Sequence, residues 1–170
     1  DIELVNLNSE EVGSSFISGN IDAGVTWEPW LTNAQQRADG KVLVTSRDEP
    51  GLITDIVMAR NNLIEDRRED TKNVMRAFFD AIDWWEANTA AGNEIVAKNF
   101  NLTADEFAQM RDTIQLSELQ TNLAKFNKST SRNVYELAEA AAEIYFNDGV
   151  ITTKTSGDVV TDSSLLNEIR

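Results

Sequence analysis

The sequence predicts an α/β fold in which a βαβαβ segment leads into a mostly helical remainder. Three observations predict it. Short β-type runs alternate with helix patterns through residues 1–46. From about residue 68 onward, apolar residues recur at helical spacing instead. Capping signatures punctuate the chain where those helices should begin.

In order, "IELVNL" (2–7) reads as a strand. "NSEEVGSSFISG" (8–19) reads as a helix, with Asn8 and Glu11 spaced for a capping box and Gly19 suited to the left-handed residue after it. "IDAGVTW" (21–27) is a second strand of buried type. "EPWLTNAQQRADG" (28–40) is a short helix with Glu28 at the N-cap, Pro29 in the first helical position and Gly40 as its stop. "KVLVTS" (41–46) is a third strand, the turn-rich "RDEPGL" (47–52) a connector, and "ITDIVMAR" (53–60) a further strand.

Helices follow at 68–89, 93–100, 103–114, 117–126, 131–149 and, at the tail, 162–170. In the first of these Val74, Phe78, Ala81, Ile82 and Trp85 share a spacing suited to burial. Thr103 with Glu106, and Ser117 with Gln120, have the capping-box spacing. Three strands and two short helices would leave sheet edges open, so further strands are expected from upstream residues or from a second chain. The opening residues already read as a strand, which suggests a mature piece or a fragment of something larger.

Composition limits the chemistry. The chain has 170 residues, 41% of them hydrophobic, enough for one domain or two small lobes with a real core. Asp and Glu number 29 against 15 Lys and Arg, for a formal charge of −14, and such a surface repels phosphate backbones and anionic lipid. Nucleic acid is therefore not an expected partner. With no cysteine and no histidine, the sequence excludes disulfides, thiolate nucleophiles, zinc–cysteine sites and any Ser-His-Asp triad. No metal site and no cofactor is expected, and no stretch is long and apolar enough to span a membrane.

The most informative stretch is "VTWEPWL" (25–31). In an open α/β sheet, ligands bind beyond the carboxyl ends of strands, where helices begin. Trp27 and Glu28 occupy that place: a flat aromatic, an acceptor, and the free N–H groups of a helix start could together grip a small polar or zwitterionic molecule. The same residues also fit a purely structural role, with Trp27 in a core, Glu28 as a cap and Trp30 packing helix on sheet. A second candidate is Asp55, a carboxylate inside an apolar run, with Thr54 beside it. A buried carboxylate needs a partner, which could be a ligand cation, a neighbouring helix start or an arginine such as Arg60. Trp84 and Trp85 are adjacent, so they face different sides of one helix and fit core and surface packing.

Taken together, "NLNSEEVGSSFISGNIDAGVTWEPWL" resembles a block in bacterial periplasmic substrate-binding proteins of the nitrate/sulfonate/taurine ABC-transporter type, matching at Gly19, Ile21, Asp22, Ala23, Trp27, Glu28 and Pro29. "EPGLITDIVMAR" (49–60) resembles that family's return crossing to its first lobe, and "MRAFFDAIDWWEAN" (75–88) the long helix after it. "LSELQTNLAKF" (116–126) and "GVITTKTSGDVVTDSSLLNEI" (149–169) resemble its closing segments. The resemblance implies a type II periplasmic-binding-protein-like α/β fold, present here only as its C-terminal half. Residues 1–46 would be the later part of lobe two, 47–52 the inter-lobe crossing, and 53–170 the later part of lobe one.

It further implies a solute-binding component of an ABC importer. That component captures a small sulfonate, amine-bearing or zwitterionic solute between lobes and delivers it to a membrane permease in the periplasm. Trp27, Glu28, Thr54 and Asp55 would be its ligand-binding residues, without catalysis. A plain anion such as nitrate would find two nearby acids unfavourable. An incomplete sheet makes a homodimer by strand exchange an expectation. The alternatives are the effector-binding domain of a transcription regulator and a carboxylate enzyme without histidine on the same fold.

Overall fold

The computed structural model describes residues 2–49, 51 and 53–169. Of the segments read from the sequence, Asp1, Pro50 and Leu52 at the connector and Arg170 at the tail lie outside the described residues. The chain divides into two compact units, Asp1–Pro50 and Gly51–Arg170.

Among its described residues, unit 1 holds two short helices. The first, α1 (Ser9–Ile17), starts where Asn8 and Glu11 close the capping box: Glu11 N donates to Asn8 Oδ1 at 2.9 Å and Asn8 N to Glu11 Oε2 at 3.1 Å. It ends at Gly19, whose φ of 77° is the left-handed conformation that a glycine adopts without penalty. The second, α2 (Trp30–Ala34), lies against α1. Their close approach is set by Gly13, where a Cβ would stand 3.1 Å from Trp30 Cβ. Thr26 fastens the intervening segment by donating from Oγ1 to Ser9 O at 2.9 Å. Arg37 Nη1 donates to Phe16 O at 2.7 Å, with its guanidinium 4.7 Å from the Phe16 ring centroid.

Unit 2 is helical. It comprises α3 (Asn61–Asp66), α4 (Arg68–Ala87), α5 (Thr89–Phe100), α6 (Ala104–Arg111), α7 (Leu119–Lys125), α8 (Val134–Asn147), α9 (Gly157–Val160) and α10 (Ser164–Glu168). Two cores hold it. In one, Phe79 and Ile82 of α4 meet Leu166 and Ile169 from the chain's end, with Leu119, Leu123 and Phe126 around them. In the other, Ala97 of α5 packs with Phe107 and Met110 of α6, and Trp85 closes over them. Trp85 stacks on Phe107 at 6.1 Å between centroids, and its indole N–H donates to Asn93 Oδ1 at 2.9 Å. Gly92 makes that seat possible, since a Cβ there would lie 2.1 Å from Trp85 Cδ1.

The structure corrects the fold class. Among the described residues there is no strand, so neither the βαβαβ segment nor the α/β fold, type II periplasmic-binding-protein-like or otherwise, is seen. The runs 2–7, 23–27, 41–45 and 54–60 carry no regular structure, and their apolar side chains face outward: Leu4 is 92% exposed, Val25 89%, Leu43 84% and Met58 82%. The reason is physical. Alternating and β-branched residues favour a strand only by packing on a pleated surface beside a partner, and among the described residues no partner is paired with these runs. Without strands, the homodimer by strand exchange also loses its basis.

Smaller departures have local causes. The helix read over 28–40 shrinks to five residues, because residues 35–39 turn so that Arg37 can reach Phe16 and pair with Asp39. On α4 the buried stripe runs through Met75, Phe79 and Ile82, while Val74 and Phe78 are exposed. The stripe is set by where α7 and α10 lie. The N-cap of α7 is Glu118 rather than Ser117, with no side-chain capping bond.

Candidate functional site

Trp27 and Glu28 stand at the entry to α2, in unit 1. Trp27 is 68% exposed as a residue and lies outside the core, while its carbonyl accepts from Leu31 N at 3.0 Å and anchors the turn. Glu28 bends back over the helix start. Its Oε2 accepts from Thr32 N at 3.1 Å and from Thr32 Oγ1 at 2.7 Å. The cap position itself is Pro29, after a cis Glu28–Pro29 bond. The helix start is thus less open than the sequence suggests, because Glu28 already takes one of its N–H groups. Trp30 does pack, but helix on helix against Gly13.

Thr54 and Asp55 stand in unit 2, at the start of the run leading to α3. Thr54 Oγ1 donates to Gly51 O at 3.1 Å, a local turn bond after a residue with φ 87°. Asp55 is exposed, so the burial that would have demanded a partner is not there. The structure therefore groups the four candidates as two pairs, one in each unit. No group of three or more His, Cys, Asp or Glu side chains suited to a metal ion occurs among the described residues.

Sequence reading missed one further arrangement. In unit 2, Lys128 pairs with Asp158 and lies 4.7 Å from the Tyr135 ring centroid. The Tyr135 hydroxyl donates to Ser163 Oγ at 3.4 Å. Lysine 128 and Ser163 are separated by tens of residues, so no local pattern could have joined them.

Residues 1–99, which contain all four candidates, match the NMT1-like family. The chain belongs to that family. It is also 19% identical over 168 residues, 98% of its length, to a Bacillus subtilis (strain 168) protein named for the binding of aliphatic sulfonates. The chain covers 47% of that relative, so it spans about half the length of the curated protein it matches. No solved structure matches it. The resemblance to substrate-binding proteins of the nitrate/sulfonate type, read from "WEPW" and its surroundings, is thereby upheld. Among the described residues no helix is long and apolar enough to cross a membrane.

Proposed function

We propose that this protein is a solute-binding component of an ABC importer that captures a small sulfonate, amine-bearing or zwitterionic solute outside the cytoplasm and hands it to the membrane permease. The observation that carries the reading is the family match over residues 1–99, joined by a relative named for sulfonate binding across nearly the whole chain. The protein acts as a binder and not as a catalyst. Residues 1–46 serve as the later part of one lobe, 47–52 as the crossing, and 53–170 as the later part of the other.

The geometry of Trp27 supports this reading. An exposed tryptophan next in sequence to a carboxylate held by Thr32 gives a solute an apolar plate and a fixed acceptor. Both Thr32 bonds fall on Glu28 Oε2, which leaves Oε1 for an ammonium or hydroxyl. Within unit 2, Asp55 offers an acceptor suited to an ammonium, and Thr54 a hydroxyl. An ammonium-bearing sulfonate such as taurine suits either carboxylate better than nitrate does, since a carboxylate repels a bare anion.

Isothermal titration calorimetry on the full-length protein tests the reading, with taurine, an unsubstituted alkanesulfonate and nitrate as titrants. Taurine should bind most tightly. Asp55→Asn should cost it about 1.5–3 kcal/mol, the worth of a charge-assisted hydrogen bond. Heat changes indistinguishable from dilution for all three titrants would remove the proposal.

A further inference from the structure

Within unit 2, α7 with its following loop, the start of α8, and α10 with its N-cap residue line an open cavity of about 430 Å³. That volume is in the range of small-ligand sites. Leu123 and Phe126 give it an apolar wall, and Asn127, Lys128, Tyr135, Ser163 and Asn167 line the rest. Among these lining residues there is one ammonium and no carboxylate, in a chain whose formal charge is −14. The polar lining is rich in donors: an ammonium, a phenol, a hydroxyl and two carboxamides.

The rim is braced. Asn133, only 2% exposed, donates from Nδ2 to Thr130 O at 2.9 Å and to Lys128 O at 3.4 Å. Its Oδ1 accepts from Tyr135 N and Glu136 N, both at 3.1 Å, which ties the Lys128 loop to the start of α8. On the other side, Asn167 Nδ2 donates to Ser163 O at 3.0 Å. Asp158 pairs with Lys128 from outside the lining, and their hydrogen bond raises the lysine's pKa and keeps it an ammonium.

We propose that this cavity, whose lining includes neither Trp27 nor Asp55, is a ligand site for a small organic oxyanion: a carboxylate or sulfonate carried on a short apolar tail. The oxygens would take the Lys128 ammonium with the Ser163 and Tyr135 hydroxyls, and the tail would lie on Leu123 and Phe126. Asp158 competes with the ligand for the same ammonium, which sets a modest affinity.

Propane-1-sulfonate and, separately, butyrate are titrated into ¹⁵N-labelled full-length protein, with propan-1-ol as the uncharged control. The backbone amides of Asn127, Lys128, Ser163 and Asn167 should shift with at least one anion and stay unmoved with the alcohol. The tighter of the two anions identifies the headgroup. Lys128→Met should weaken binding about tenfold, as expected for losing a charged hydrogen bond. Asp158→Asn should tighten it by freeing the ammonium. Silence at those four amides with both anions, equal response to the alcohol, or equal affinity in Lys128→Met overturns the proposal, as does weaker binding in Asp158→Asn.

Discussion

At the scale of single residues, the tightest constraint is steric. Gly92 has no room for a methyl group without displacing the Trp85 indole. Gly92→Ala should therefore destabilise the chain by about 1–3 kcal/mol through overpacking, read as a lower urea midpoint together with red-shifted tryptophan emission. Asn133 is the polar counterpart, since it serves four backbone groups while almost fully buried. Asn133→Leu should cost about 1–3 kcal/mol by leaving buried groups without partners, measured by the same denaturation. Neither residue was legible in the sequence, because the neighbours that make each one critical are fixed by backbone geometry. Trp27 and Glu28 were more legible. Their type and order announced a helix start, but the turn of Glu28 toward Thr32 depended on a side-chain rotamer that no spacing encodes.

Individual elements divide by how local their causes are. The capping boxes at Asn8 and Thr103 were readable because each is closed by residues three apart. Thr103→Ala should cost about 1 kcal/mol, the usual worth of an N-cap, seen as a lower thermal midpoint by circular dichroism. The short helices α3 and α9 were not readable, since Asn61 and Asn62 are weak helix formers and α9 has only four residues. The extended runs were misread for the opposite reason: their composition is strand-like, but pairing is a property of two segments, and one segment cannot reveal it.

The closing helix α10 adds a pH dependence. Hydrogen bonds from Arg68 and Lys72 hold the Glu168 carboxyl below its ordinary pKa. A depressed folded pKa contributes stability above the unfolded value, lost as pH falls through the folded one. Wild type should thus lose more melting temperature on acidification below the normal glutamate range than Glu168→Gln does, with the two curves converging in strong acid.

For the whole molecule, the decisive contrast is where the burial lies. Of the buried hydrophobic side chains among the described residues, only Ala34 belongs to unit 1, and both core clusters lie in unit 2. The apolar runs outside those clusters leave much β-type surface in water, as at Ile53, Ile56, Val57 and Met58. The chain should accordingly bind the dye 1-anilinonaphthalene-8-sulfonate in its native state, and the double variant Ile56→Lys, Met58→Lys should dim that fluorescence. An unchanged signal would place the dye elsewhere. The unequal burial also sets a clock for isotope exchange in heavy water. The amides of α4 beside Phe79 and Ile82 should be the last to take up deuterium, while those around Val25 and Leu43 should be replaced almost at once.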